Sequence, residues 1–217
     1  MVDLDDEKRR AASAAADLVR PGMRVGLGTG STVAFLLEAI AARRVSATFV
    51  ATSPRTQRAA QALGIDVDPF SDLARLDLAI DGADQVDPSG WLLKGGGGAL
   101  TREKIVAASA ERFVVIVDSS KMVASLTGPV PLELMAFGLH ATLRRLGATV
   151  LRDAAPSPDG GVLADHFTRL DEPMVVSRRL ADVAGVVAHG LFAPTMVTEV
   201  IVARADHVQH LSPQGEP

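Results

Sequence analysis

Short apolar runs alternate with longer helix-type stretches over the first 120 residues of this 217-residue chain. The clearest run, FVVIV at residues 113–117, has no polar position, which is typical of a strand covered on both faces of a parallel sheet. Strands that alternate with helices predict βαβ units, so we expect an α/β fold with a doubly wound, mostly parallel sheet. The expected strands are 24–28, 47–51, 76–80 and 113–117, and the expected helices are 4–19, 32–43, 54–63 and 98–110.

The pattern changes after about residue 128, where prolines interrupt the chain. We expect a first domain at 1–127, together with about 197–217, and a smaller α+β domain at 128–196. Whether 197–203 joins the first sheet is left open, and the terminal SPQGEP is expected to fray. The later elements are expected to be a helix at 133–146, a hairpin of 148–152 and 161–167 turning at Asp159-Gly160, a helix at 173–182 and a strand at 185–192.

Composition excludes several kinds of chemistry and partner. With no cysteine there is no disulfide, thiolate nucleophile or cysteine-ligated metal, and with no tyrosine any acid–base group must be Asp, Glu, His or Lys. A net charge of −4 gives no electrostatic reason to expect a nucleic-acid partner. The charged start MVDLDDEKRR does not fit a signal peptide, and no run reaches the roughly 18 apolar residues of a membrane helix. We therefore expect a cytoplasmic protein with neither nucleic-acid nor membrane partners.

Polar clusters follow each of the expected strands. They are GTGST at 28–32, TSP at 52–54, DGAD at 81–84 and DSSK at 118–121. Ligands of open parallel sheets bind beyond the carboxyl ends of the strands, so these four loops are expected to share one crevice.

The GTGST loop is a candidate phosphate site. Its glycines allow close backbone approach, and the following helix offers free N–H groups and the positive end of its dipole. A dinucleotide fingerprint fails because GLGTG is not G-x-G-x-x-G and no acid ends the second strand, and a Walker loop fails because no lysine follows. The alternative is a glycine turn in which Ser31 is a helix N-cap.

The DGAD loop places Asp81 and Asp84 three residues apart. Such a pair could cap the next element, hold sugar hydroxyls or do acid–base work, or bind a metal. All five histidines lie beyond the stretch that carries these loops, which weakens a metal site, although two acids alone can hold Mg²⁺.

KGGGGALTREK at 94–104 is the most unusual stretch. Four consecutive glycines cost chain entropy on folding, which favours a backbone nest for an anion beside Lys94 over a purely structural loop. Glu103 lies near the start of the next helix and could point back at this loop. Taken alone, Glu103 and Lys104 fit a solvated helix face, and Lys121 fits an ordinary surface position.

Together, GLGTGST, DGAD, KGGGGALTREK and DSSK closely resemble ribose-5-phosphate isomerase type A, an enzyme of the non-oxidative pentose phosphate pathway. The resemblance is strong from about residue 4 to 140, including PVPLEL at 129–134. It implies a Rossmann-like α/β domain with a small α+β domain, assembled as a homodimer or homotetramer, with no cofactor and no metal. The sequence departs from the pattern at Gln85 and in the loop at 87–90.

The resemblance also assigns roles to residues. It makes Glu103 the base that moves a proton between C2 and C1 of a phosphosugar through an enediolate. It gives Asp81, Asp84 and Lys94 ring opening, hydroxyl binding and stabilisation of the developing charge. The remaining implied contacts are Ser31, Thr32, Lys121 and Lys8 for the phosphate, Thr29 and Gly30 to complete that loop, and Gly82, Ala83, Gly95, Gly96 and Gly97 around the sugar.

Two rival functions stay open at this point. A sugar-phosphate-sensing domain of related fold could keep the phosphate loop without a base, and another isomerase could act on a different phosphosugar. The residues themselves suit an isomerase, because aldose–ketose isomerisation needs one returning base and groups for the enediolate oxygen. It needs no redox cofactor, which agrees with the broken dinucleotide fingerprint.

Overall fold

The computed structural model describes residues 3–71 and 73–213, which form six α-helices and thirteen strands. The helices are α1 (Leu4–Ala16), α2 (Ser31–Arg43), α3 (Pro54–Ala62), α4 (Leu100–Ser109), α5 (Leu139–Leu146) and α6 (Pro173–Ala181). The strands are β1 (Arg24–Leu27), β2 (Thr48–Ala51), β3 (Leu76–Asp81), β4 (Gln85–Val86), β5 (Leu92–Leu93), β6 (Ala110–Asp118), β7 (Val130–Leu134), β8 (Thr149–Leu151), β9 (Val162–His166), β10 (Val186–His189), β11 (Leu191–Phe192), β12 (Glu199–Ala203) and β13 (Val208–Leu211).

The main sheet has six strands in the order β13-β12-β6-β3-β1-β2. All neighbours pair in parallel except β13, which runs antiparallel along the outer edge of β12. From β1 the chain first moves outward to β2 and then returns to β3 on the other side. The gap between β1 and β3 is therefore the topological switch point, where such sheets bind ligands.

The residues of β6 show why the run FVVIV is uninterrupted. Phe113, Val115 and Val117 face one side of the sheet and pack in a core that includes residues of α4. Val114 and Ile116 face the other side, against α1 and α2. Because helices cover both faces, both sets of alternating side chains are apolar. The predicted doubly wound sheet is confirmed.

The region from 130 to 146 corrects one prediction. A helix was expected at 133–146, but VPLEL forms the buried strand β7 in the middle of a four-stranded antiparallel sheet, β10-β7-β9-β8, and α5 begins only at Leu139. Pro131 fits a strand here because it lies beyond the end of β10, where its carbonyl accepts from Gly190 N at 2.7 Å and no ladder N–H is needed.

The expected strand at 185–192 is two strands rather than one. The strand is interrupted at Gly190. As a result, β10 joins the four-stranded sheet and β11 joins a third sheet, β11-β5-β4. Sequence periodicity could not show this break, because both halves are apolar.

The segment from 199 to 203 returns to the main sheet as β12, parallel to β6. The domain boundary near residue 128 stays a prediction, supported by the confinement of the four-stranded sheet to strands between 130 and 189. The expected fraying of SPQGEP falls mostly on residues 214–217, outside the described part of the chain. None of the helices within the described residues is long and apolar enough to cross a bilayer.

Candidate active site

The loops after β1, β3 and β6 and the glycine-rich segment after β5 enclose a small cleft of about 100 Å³ at the switch point of the main sheet. Thirteen of the fifteen expected site residues line it; Asp81 lies behind Lys94, and Lys8 lies on α1. The lining residues are Thr29, Gly30, Ser31, Thr32, Val33, Gly82, Ala83, Asp84, Lys94, Gly95, Gly96, Gly97, Glu103 and Lys121.

One end of the cleft is the open N-terminus of α2. The N-cap of α2 is Gly30, whose φ is 142°. Ser31 is therefore the first residue of the helix and not its N-cap. The N–H groups of the first turn and the hydroxyls of Ser31 and Thr32 lie at the cleft. This end has the donors and the helix dipole that bind a phosphate group.

The TSP loop supports the phosphate end from behind. Thr29 Oγ1 lies 2.9 Å from Thr52 Oγ1, 2.8 Å from Ser53 Oγ and 3.1 Å from Thr56 Oγ1, and the Thr56 hydroxyl donates to the carbonyl of Gly28 at 2.8 Å. The Thr29 hydroxyl therefore fixes the GTGST loop in place. The role of the Thr56 hydroxyl was not predicted.

Lys121 reaches the cleft from a 3₁₀ turn that follows β6. The Asp118 carboxylate accepts from Ser120 N at 3.0 Å, and Glu7 of α1 accepts from Ser119 N at 2.8 Å, so the start of the turn is held in place. Lys8, the next residue of α1, is paired with Asp5 at 2.8 Å. The structure thus places Lys121 in the lining of the cleft and Lys8 outside it.

The other end holds three buried charges. The Lys94 ammonium lies 3.0 Å from Asp81 Oδ2 and 3.3 Å from Glu103 Oε2, and it also donates to the carbonyl of Gly82. Each of Asp81, Lys94 and Glu103 is at most 4% exposed. Within the described structure, no hydrogen bond reaches Glu103 Oε2.

Asp81 is held far more firmly than Glu103. Its Oδ1 accepts from Thr29 N at 3.0 Å and from Gly82 N at 2.7 Å. A Cβ on Gly28 would lie 1.9 Å from the Asp81 carboxyl, so only glycine allows the first loop to pass this close. Asp81 is therefore fixed by backbone donors beside Lys94, whereas Glu103 Oε2 has no hydrogen bond from a described residue.

Burial raises the pKa of Glu103 to about 7; the Lys94 charge opposes this effect, and Asp81 and Asp84 add to it. Burial by itself would lower the pKa of Lys94, but the charges of Asp81 and Glu103 outweigh it and raise that pKa. Lys94 is consequently a permanent cation, while the carboxyl beside it titrates near neutral pH. A pKa near 7 suits a group that must both take up and return a proton.

The glycine-rich loop closes over these charges. Gly95 and Gly98 have φ values of 113° and 74°, which other residues rarely adopt, and Gly96 N donates to Asp84 Oδ2 at 2.9 Å. The Arg152 guanidinium donates to the carbonyl of Gly95 at 2.8 Å and forms a two-point ion pair with Asp165. Arg152 thus ties the small antiparallel sheet to the loop.

Besides Thr56, two further residues that shape the site were not predicted from the sequence. Arg152 lies in an ordinary hairpin, and nothing in its neighbourhood marks it. Glu133 accepts from the hydroxyls of Thr101 on α4 and Ser157, both at 2.6 Å, and so fixes the start of the helix that carries Glu103. An acid inside the apolar run VPLEL was a signal that could have identified Glu133.

A larger groove, about 1000 Å³, lies between α4 and the end of β7. Its walls include Ile105, Val106, Met135 and Phe137, and it does not contain the Lys94 cluster. We place the chemistry in the smaller cleft, because that is where the buried Glu103–Lys94 ion pair and a helix N-terminus meet.

The acids of DGAD do not form a metal site with other ligands. In the ranges 3–71 and 73–213, no three His, Asp or Glu side chains are placed to hold a metal ion. Asp81 already faces the Lys94 cation. That the reaction needs no metal and no cofactor stays a prediction.

The chain is similar to known ribose-5-phosphate isomerases over nearly its whole length. A model of the family described as ribose 5-phosphate isomerase A (phosphoriboisomerase A) matches residues 48–207. The ribose-5-phosphate isomerase A of Gluconobacter oxydans strain 621H is 42% identical over 228 residues, covering 97% of this chain and 98% of the relative. The solved ribose 5-phosphate isomerase A of Neisseria gonorrhoeae superposes with a TM-score of 0.93 at 31% identity, covering 98% of this chain and 99% of that one. A D-ribose-5-phosphate isomerase in complex with phospho-erythronic acid superposes with a TM-score of 0.90 at 32% identity, covering 97% and 99%.

Proposed function

Because the chain belongs to the ribose 5-phosphate isomerase A family and is a ribose-5-phosphate isomerase, we propose that Glu103 is the base that carries the proton between C2 and C1. The observation that supports this most strongly is the state of its carboxyl. It is buried, its Oε2 lies 3.3 Å from the Lys94 ammonium, and its pKa is about 7. Removal of the C2 proton gives an enediolate, and return of the proton to C1 gives the ketose.

Lys94 is the group that stabilises the enediolate. Its ammonium lies beside Glu103, so negative charge that develops on the substrate oxygen as the proton leaves meets a cation already in place. Asp81 holds that cation. Asp84 lies at the open side of the cleft, where it can bind a sugar hydroxyl or assist ring opening. The backbone of Gly82, Ala83 and the loop 95–97 surrounds the sugar.

The phosphate of the substrate belongs at the α2 N-terminus. Gly30, Ser31 and Thr32 supply N–H groups and hydroxyls, and Lys121 supplies a point charge from the facing turn. Thr29 completes this loop, because its N–H donates to Asp81 and its hydroxyl bonds to the TSP loop. Of the proposed phosphate contacts, Lys8 has the least support from the structure, because its ammonium is paired with Asp5. Binding energy from the phosphate then serves the proton transfer at the far end of the cleft.

The test is isomerisation in D₂O followed by NMR. Wild-type protein should convert ribose 5-phosphate to ribulose 5-phosphate, with solvent deuterium entering the carbon skeleton through the enediolate. Comparison with a panel of other phosphosugars measures substrate breadth. Tight binding of ribose 5-phosphate without conversion would instead favour a sensing domain, and conversion without any deuterium entry would count against proton transfer by an exchanging carboxyl.

The assembly and location of the protein are further proposals. A homodimer or homotetramer is supported by Phe137, which is 91% exposed at the rim of the large groove, next to Met135. Sedimentation of wild-type protein and a Phe137→Ser variant tests this, and a monomeric wild type would refute it. A cytoplasmic location is supported by the metabolic function of the relatives, and fractionation of cells tests it.

A further inference from the structure

Lys104 follows Glu103 on α4, but its side chain points to a different part of the structure. Its ammonium donates to the carbonyl of His189 at 2.6 Å and to that of Leu191 at 2.9 Å, and it lies 3.4 Å from His189 Nδ1. It also lies 4.7 Å from the centre of the Phe192 ring. Three acceptors face the three N–H groups of the protonated side chain, and burial lowers the pKa of Lys104 to about 7.

His189 takes part as a neutral acceptor. Its Nδ1 accepts from Leu191 N at 3.3 Å, and its Nε2 lies 3.4 Å from Ser177 Oγ. These partners assign the proton to Nε2, and the single lone pair of Nδ1 faces both Leu191 N and the Lys104 side chain. Burial, helped by the Lys104 charge, lowers the pKa of His189 to about 3, so the ring stays neutral across the physiological range.

The segment that Lys104 holds, residues 189–192, is also the support of Lys94. Gly190 O accepts from Lys94 N at 2.8 Å, and a Cβ on Gly190 would lie 2.1 Å from Lys94 O. The Phe192 ring lies 5.5 Å from the Lys94 ammonium. The segment therefore contacts Lys94 through both its backbone and its side chain.

We propose that Lys104 is a positioning residue for the isomerisation: by clamping residues 189–192 it fixes the Lys94 ammonium between Asp81 and Glu103. The inference rests on the proposed roles of Glu103 and Lys94. Lys104 does not touch the cleft, and its effect on the reaction passes through Lys94 alone.

Loss of the clamp has a defined electrostatic consequence. Without the Lys104 side chain, the carbonyls of His189 and Leu191 lose the hydrogen bonds that it donates. Residues 189–192 can then shift, and Lys94 shifts with them. The charged groups that face Glu103 are Lys94, Asp81 and Asp84, and of these only Lys94 lowers its pKa. A displaced Lys94 therefore lets the pKa of Glu103 rise, and the acid limb of the pH–activity profile moves to higher pH.

The experiment compares Lys104→Met with Thr142→Val. Thr142 is a matched control, because its buried hydroxyl also bonds two carbonyls, Gly138 O and Ala184 O, but on α5 and away from the cleft. For Lys104→Met we expect kcat to fall by about tenfold or more, since misplacement by about 1 Å costs up to ~100-fold. The KM should change far less, and the acid limb should move upward. Thr142→Val should lower Tm without moving that limb, and Lys104→Arg should recover part of the loss.

Several results would overturn the proposal. They are an unchanged kcat in folded Lys104→Met, or a lowered kcat with the acid limb where the wild type has it. If Lys104→Met does not fold, Gly190→Ala tests the same link, because the added methyl must displace the Lys94 peptide; a wild-type profile there would also refute it. Active Glu103→Gln would defeat the proposed function instead, so the two failures are distinguishable.

Discussion

Replacing Glu103 by glutamine separates its chemical role from its structural cost. Glutamine keeps the shape of the side chain but cannot accept the C2 proton. We expect turnover to fall by about 10²–10⁴, the usual contribution of one general base. The fold should be kept, because Lys94 still pairs with Asp81 at 3.0 Å.

The same change should make the protein more stable at alkaline pH. The pKa of Glu103 is 4.5 ordinarily and about 7 in the native protein, raised chiefly by burial. Between these values the native state binds more protons than the unfolded state, so this group lowers stability as pH rises. At about 1.36 kcal/mol per pH unit, the full penalty is about 3 kcal/mol and is complete above pH 7. Glutamine does not titrate, so the Glu103→Gln variant does not lose this stability as the pH rises.

Urea unfolding between pH 4.5 and 8.5 measures this effect directly. Glu103→Gln should be more stable than wild type by about 3 kcal/mol at pH 8, and the two curves should converge toward pH 4.5. Glu133→Gln is the matched control: it changes another buried glutamate, but one that accepts two hydroxyl hydrogen bonds, and should destabilise the protein.

A well-folded Glu103→Gln variant with near-normal turnover would refute the role of Glu103 as the base. An inactive variant whose stability followed that of the wild type at every pH would show that the Glu103 carboxyl does not have the raised pKa assigned to it.

Three further predictions concern the phosphate, the proton and metals. Lys121→Ala should weaken ribose 5-phosphate binding by about 1.5–3 kcal/mol but barely affect free ribose, and equal losses in kcat/KM on both sugars would place the phosphate elsewhere. For wild type, kcat/KM should fall about tenfold per pH unit below about pH 7, where Glu103 becomes protonated, and a flat profile from pH 5 to 8 would contradict that. Dialysis against a strong chelator should leave turnover unchanged; loss with recovery on adding Mg²⁺ or Mn²⁺ would make DGAD a metal site.

The placement of the cleft could be predicted because it depends on local signals. Uninterrupted apolar runs such as 113–117 identify the strands, and polar loops at their carboxyl ends must meet if the sheet is parallel. GTGST and DGAD come together at the switch point for this reason alone. The roles given to their residues came from the family resemblance and remain proposals.

The rest could not be predicted, because it depends on contacts between residues distant in sequence. Glu103 and Lys104 looked like a solvated helix face, yet one packs on Lys94 and the other on the carbonyls of 189–192. Pro131 suggested an interruption, but the residue lies where a neighbouring strand has ended. Arg152 reaches Gly95 from 57 positions away, which no local pattern encodes.

The three-stranded sheet β11-β5-β4 has a consequence for when the protein becomes active during synthesis. Every proposed substrate contact lies at or before Lys121, yet β5, which leads into Lys94, pairs with β11 at residues 191–192. The Lys94 N–H and the Lys104 side chain likewise donate hydrogen bonds to carbonyls of residues 189–191. A nascent chain therefore carries all its substrate-binding residues about 70 positions before it carries the support of its buried cation. Contacts between residues this distant in sequence form late in folding. We therefore expect the protein to become catalytically active only near the end of translation, and to lose its activity when residues 189–192 are removed by C-terminal truncation.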